Sequence, residues 1–193
     1  MDFPKAICYT GYIIIFGESR VQQNRKESIM ADFVLNKEGE YGHLIMQELP
    51  EFFNKPSDIN TVYKQWGDRC LFIDGHLVPG SIQMNITWYI NAPDFRPLPY
   101  HEEHTHDFGE LVGFLGSDPN DKYDLGGVIE IGIGGELHRL TRSSIIYMPP
   151  KLKHLPLSIL ELKRPILHFS VACNDTYSLE RTNGKPSVIE IEK

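Results

Sequence analysis

From about residue 70 onward the chain is a series of short apolar runs separated by clusters of Gly, Pro, Asn and Asp, with no amphipathic helical stretch between them. That punctuation limits it to an all-β body. Residues 82–90 alternate cleanly, with Ile82, Met84, Ile86, Trp88 and Ile90 on one side of an extended strand, and the pattern predicts that this side is buried. Residues 128–133 and 136–140 flank Gly134-Gly135 and read as a hairpin, the two glycines supplying the positive φ angles of a two-residue turn. Further strands are expected at 71–78, 110–115, 144–148 and 165–172. Six or more strands with turn-rich joints suit a double-sheet jelly roll.

One compact barrel is expected over residues 61–193, since 193 residues with 41% hydrophobic content can build a single core and no repeat or low-complexity linker divides them. Residues 1–60 read as an N-terminal extension packed on the barrel or on a partner chain. Within it, 13–16 reads as a strand and 27–35 as a short helix, while 43–53 is either a helix stopped by Pro50 or a strand followed by a loop.

The chemistry concentrates in Tyr100-His101-Glu102-Glu103-His104-Thr105-His106-Asp107-Phe108-Gly109-Glu110. His104 and His106, two residues apart, share one face of an extended strand. If residues 107–109 turn the chain, Glu110 opens the next strand with its carboxylate aimed back at both imidazoles. His154, just past Pro149-Pro150, is the candidate fourth ligand, returned to the same cavity by long-range β pairing. Three neutral nitrogens and one carboxylate suit a divalent transition metal, whether Fe, Mn, Ni, Co or Zn, where calcium would want mostly oxygen and a structural zinc more thiolate. One carboxylate on a dication leaves a net charge of about +1, which invites an anionic or chelating small molecule. His101 stands at odd separation from His104 and is expected behind the ligands or in solvent; His43, His76 and His138 stand alone as surface or core residues. His168 lies in a late strand, either as a hydrogen-bonding or acid–base group near the metal or on the outer sheet face. Trp88, Phe114 and Tyr147 are either plain core or an apolar wall for a substrate.

These residues resemble the two motifs of the cupins. The first motif of that family, His-x-His, a short spacer, Glu and then a glycine, is matched by His104, His106, Glu110 and Gly116; the second, a proline a few residues before a histidine, by Pro149 and His154. Leu98, Ser143 and Lys151 stand where the family has glycines and Ser158 where it has an asparagine, departures that touch turn geometry more than ligands. The likeness covers about residues 70–172, and the 116–127 loop looks like one found in a bacterial subgroup of uncharacterised single-domain cupins. It implies a double-stranded β-helix with the metal inside, a menu of dioxygenase, decarboxylase, isomerase or lyase activities, and a homodimer paired through sheet edges and residues 1–60. The leading expectation is a metal-dependent enzyme acting on a small oxygenated or carboxylated substrate, and the alternative is a non-catalytic small-molecule binding or sensing module.

A net charge of −7 without any basic run argues against a nucleic-acid surface. The apolar run at 12–16 is far shorter than a membrane span and lacks a signal peptide's charged start, so a cytoplasmic protein with no membrane partner is expected. Cys8, Cys70 and Cys173 are odd in number and widely spaced, which suggests neither a disulfide framework nor a thiolate site but small buried or half-buried side chains. Asp118, Asn120, Asp121 and Asp124 read as a solvated turn, because Ile129 stands where a calcium loop needs its closing glutamate. No Gly-x-Ser-x-Gly elbow surrounds Ser143 or Ser144, so a hydrolytic triad has little support.

Overall fold

The computed structural model describes residues 39–50, 53, 57–175 and 177 and, as strands, 6–9, 12–15 and 180–181. Strands β1 (Ala6–Tyr9) and β2 (Tyr12–Ile15) pair with each other alone. The strand expected near residue 13 is therefore present, whereas the helix expected at 27–35 lies outside the described residues. Over 43–50 neither alternative holds, while 51–52 lie outside the described residues: a 3-10 turn at Gly42–Leu44 and an isolated bridge at Met46 stand there, and Met46, Leu49 and Phe53 pack on Phe72, Leu77 and Val78. One short helix, α1 (Asp58–Tyr63), precedes the barrel, its first turn capped by the Ser57 hydroxyl, which accepts from the Asn60 N–H at 3.1 Å.

Two five-stranded antiparallel sheets build the body. The second sheet in chain order runs β3 (Gly67–Ile73), β4 (Gln83–Tyr89), β11 (Ile166–Ala172), β6 (Glu110–Gly116) and β9 (Ser144–Met148). Facing it, the other runs β12 (Glu180–Arg181), β5 (His104–Thr105), β10 (His154–Leu162), β7 (Asp124–Ile133) and β8 (Glu136–Arg142). From β4 onward, successive strands alternate between the sheets except for the β7–β8 hairpin, as in a double-sheet jelly roll. Leu125, Ile129, Ile131, Leu157 and Ile159 from one sheet meet Tyr89, Val112, Phe114, Met148 and Ile166 from the other in a core closed at one side by Trp66 and Leu98. The β7–β8 hairpin turns on Gly134 and Gly135 at φ +61° and +89°, the left-handed values its sequence requires. No helix among the described residues is long and apolar enough to cross a membrane.

β4 reverses the expected phase. Its buried residues are Gln83, Asn85, Thr87 and Tyr89, while Met84, Ile86 and Trp88 are half-buried on the outer face and Ile82 and Ile90 are 52% and 51% exposed. β11 does the same, placing His168 and Ser170 inside and Leu167, Phe169 and Val171 outside. Alternation locates two faces but not which of them meets the core. Here the apolar side is the outer one, and Trp88 and Tyr147, considered as inward aromatics, both point outward; Phe114 is core.

Gly116 owes its place to a close approach. A Cβ there would lie 1.9 Å from the carbonyl oxygen of Asp124, a backbone atom fixed by the start of β7. Gly116→Ala is therefore expected to cost about 3 kcal/mol by overpacking. A urea unfolding midpoint within experimental error of the parent protein would contradict this. The neighbouring acidic loop satisfies itself: Asp118 accepts from the Asn120 N–H, Asp121 from those of Tyr123 and Asp124, and Asp124 pairs with Arg164. These are turn-forming contacts, as expected. Cys70 is half-buried, but Cys173 is exposed, against the reading of every cysteine as a packed side chain.

Candidate metal centre

Pairing of β5 with β10 sets His104 opposite His154, and β6 starts Glu110 from the facing sheet. His106 leaves β5 one residue after its end, before the bend at 107–108 that carries the chain to Glu110. All four side chains are nearly inaccessible, with residue exposures of 1–5%. One ligating nitrogen from each of His104, His106 and His154 lies within 4.8 Å of the others. Glu110 Oε2 sits 3.1 Å from His106 Nε2 and 3.3 Å from His154 Nε2. Donor pairs about 2.1 Å from a common ion would stand roughly 3.0–3.4 Å apart along a cis edge, so both distances fit.

The imidazole tautomers follow from the backbone. Each Nδ1 faces a carbonyl oxygen: His104 that of Glu102 at 2.9 Å, His106 that of Phe108 at 2.8 Å and His154 that of Leu152 at 2.9 Å. A carbonyl only accepts, so every Nδ1 carries the proton and every neutral ring turns the lone pair of Nε2 inward. Such backbone bonds also hold ligating histidines in orientation, and the Phe108 ring stacks on His106 at 4.4 Å. Three lone pairs and a carboxylate thus converge in a buried space. His154 Nε2, near the carboxylate but not aligned with it, is buried without a hydrogen-bond partner. Among the described residues, the hydroxyl donor that reaches these nitrogens is Tyr177 Oη, 2.9 Å from His104 Nε2.

So many acceptors at contact distance repel one another unless a cation lies between them. Burial would push the Glu110 carboxyl up, yet its close contacts with His106 and His154 outweigh it and hold it down to about 2. His104 is pushed the other way, to about 4, by burial and then by the charge of His154. A divalent ion fits the same place without any imidazolium, and the donor set, three nitrogens and one anionic oxygen, suits a transition metal.

The remaining expected residues fall as follows. His101 is half-buried against Trp66, its Nδ1 bonded to the Pro99 carbonyl at 2.9 Å, and stands apart from the cluster. His43 and His138 are exposed, and His76 lies 3.5 Å from Asp74. His168 faces the interior rather than the outer sheet surface, sandwiched between Tyr89 and Phe114 with its Nδ1 donating to the Gly113 carbonyl at 3.1 Å. It stands four residues along β11 from Ala172, the partner of Glu110, which separates it from the cluster by roughly 13 Å of strand. Two groups had no sequence signal. Tyr177 is a lone aromatic in a polar stretch, and Gln83, Asn85 and Ser170 hid on the polar side of strands whose apolar side looked like the core. Lys151 shows what the turn before His154 demands: it takes φ +67° where the family pattern has glycine, and its N–H donates to the His106 carbonyl at 2.8 Å.

Fold and cluster together define an antiparallel double-sheet barrel with an internal histidine–carboxylate centre. No protein-family model matches the chain, and no curated protein matches it in sequence. Solved structures similar to it include cupins. A cupin 2 domain-containing protein from Halorhodospira halophila aligns with 71% of this chain and 81% of its own at 9% identity and TM-score 0.42. A double-stranded β-helix protein from Klebsiella pneumoniae subsp. pneumoniae aligns with 65% and 87% at 14% identity and TM-score 0.40. An oxalate decarboxylase from Lactobacillus farciminis aligns with 58% of this chain and 30% of that one at 18% identity and TM-score 0.40. Likeness at this level concerns architecture, and the reading of the site rests on this chain's own residues.

Proposed function

We propose that the protein is a metal-dependent enzyme in which His104, His106, Glu110 and His154 hold a divalent transition ion and a small oxygenated or carboxylated molecule takes the open positions. The observation that carries this is the surplus of acceptors: three inward Nε2 atoms and a carboxylate, with Tyr177 as their hydroxyl donor. A bound dication would supply Lewis acidity or oxygen activation. The chain's own residues do the rest. Backbone carbonyls fix the imidazole tautomers, and the Glu110 carboxylate reduces the charge of the ion to about +1, which favours an anionic chelator over a neutral one. An ion held there would use the His104 lone pair toward which the Tyr177 hydroxyl points, and Tyr177 beside the cluster would be placed to hold or give a proton.

Buried polar atoms on the inner wall support an oxygen-bearing substrate. Gln83 Oε1 and Nε2, Asn85 Oδ1 and Ser170 Oγ have no hydrogen-bond partner and share the interior face of β4 and β11. Gln83 lies in the same cross-strand row as Ala172 and Glu110. Such atoms cost free energy unless water or ligand oxygens complete them.

Elemental analysis of protein purified without added metal tests the centre, with about one ion per chain expected. Less than about a tenth of an equivalent, with no uptake on reconstitution, would remove the proposal. Product formation or oxygen consumption across a library of carboxylates and diketones then tests the enzyme. Saturable binding without turnover would assign the same centre to a sensing module instead.

A further inference from the structure

We infer that Gln83, Asn85 and Ser170 determine specificity by binding the neutral hydroxyl groups of a polyhydroxylated monocarboxylate, an aldonate-like chain whose carboxylate end goes to the ion. The inference deepens the reading of the centre as a metal site for a small oxygenated molecule and rests on it. Strand register puts the three side chains beside the ligands. On the inner face of their sheet one cross-strand row runs Gln83, Ala172 and Glu110, and the next runs Asn85, Ser170 and Val112. Successive rows on one face are two residues apart, about 7 Å. Gln83 and Glu110 stand two strands apart, about 10 Å between their backbones, and Ala172 puts only a methyl group between them.

The polar groups of these rows are buried and incomplete. Gln83, Asn85 and Ser170 are 0%, 2% and 4% exposed, and Gln83 Oε1 and Nε2, Asn85 Oδ1 and Ser170 Oγ have no hydrogen-bond partner. One row further from Glu110 the wall completes itself, because the Thr87 hydroxyl lies 2.9 Å from Tyr63 Oη and accepts from Asn85 Nδ2 at 3.4 Å. Amides and a hydroxyl both donate and accept, and a ligand hydroxyl answers both roles. A carboxylate offers acceptors alone. Among the described residues the two rows hold no cationic side chain, and Met148 and Phe72, which continue them, are apolar. A second carboxylate would therefore be buried without compensation, and a plain alkyl chain would leave the amides as they are. What fits is one carboxylate followed by hydroxyl-bearing carbons, which sets dicarboxylates and fatty acids aside.

Titration calorimetry on the zinc-loaded full-length protein tests this with D-gluconate, D-galactonate and D-mannonate. The comparison ligands are adipate, a dicarboxylate of the same carbon length, and α-hydroxyhexanoate, which chelates an ion through the same end but lacks the later hydroxyls. At least one aldonate should bind at least about 100-fold more tightly than either, since a site built to hydrogen-bond hydroxyls rejects the analogue without them. Gln83→Leu and Ser170→Ala should each cut that preference at least about tenfold. Zinc content should stay as in the parent, and the ligand-free thermal midpoint should not fall, because neither polar group completes a hydrogen bond within the fold. Zinc-loaded protein that binds no aldonate more tightly than α-hydroxyhexanoate or adipate would overturn the inference and leave the centre standing. An aldonate preference unchanged in both variants would overturn it as well. Protein that takes up no zinc or other transition ion would instead remove the reading of the centre, and this inference with it.

Discussion

Glu110→Gln should lower metal affinity by at least about 100-fold while leaving the barrel folded, because it removes the one anionic donor and changes the side chain's shape hardly at all. His106→Ala and His154→Ala should do the same. In each case the fold is expected to survive, since the core of the two sheets is built from Leu125, Ile129, Ile131, Phe114 and their neighbours rather than from the ligands. Reconstituted protein measured by elemental analysis, with circular dichroism in parallel, reads both halves of the expectation. The metal-free variants carry a further signature. Glu110→Gln removes the anion whose contacts with His106 and His154 hold its carboxyl at about 2, and His154→Ala leaves that carboxylate buried with one neighbour fewer, so both should cost stability at neutral pH. A Glu110→Gln protein as stable as the parent at neutral pH would show that the charge of Glu110 is not what the site is organised around.

The metal-stripped protein should be acid-sensitive between about pH 7 and pH 4. Burial holds His168 down to about 4 and, with the charge of His154, His104 down to about 4 as well, so the unfolded chain binds protons in this interval that the folded one refuses. Stability is then full above the unfolded histidine pKa and falls as pH drops through the window, by about 3 kcal/mol for a fully buried ring such as His168. The sum for the two is smaller than twice that wherever the imidazoles of the cluster share protons. Glu110 acts with the same sign lower down: its carboxyl, held at about 2, contributes stability above the ordinary carboxylate range that is lost as pH falls toward 2. Thermal melts of chelator-treated protein from pH 7.5 to pH 4 (~0.5 unit steps) give the slope. Flat midpoints across that range would mean that these rings are not held neutral by burial.

The histidine–carboxylate cluster and the barrel were legible in the sequence for different reasons. His104, His106 and Glu110 are local, so a two-residue spacing and one turn suffice to place them, and His154 follows from a proline-marked strand start. The Gly134-Gly135 hairpin is equally local. What failed was global. The period of two in residues 82–90 was read correctly, but the assumption that the apolar side meets the core inverted Met84, Ile86 and Trp88 against Gln83, Asn85 and Thr87. A barrel that houses polar chemistry spends its interior on hydrogen-bonding side chains, and its apolar residues can then serve the outside. Tyr177 escaped for another reason: its contact with His104 spans 73 positions, and nothing in the residues around it marks the return.

Three of the four donors hang from one sheet and the carboxylate from the other. An ion held by all four therefore ties the two halves of the barrel together at the same point where the imidazoles are most deeply enclosed. Prying the layers apart would tear the carboxylate from the nitrogens first. Exchange of the ion should then run at the pace of breathing between the layers, and loaded protein should melt in a single cooperative step at a temperature set by how much free metal surrounds it.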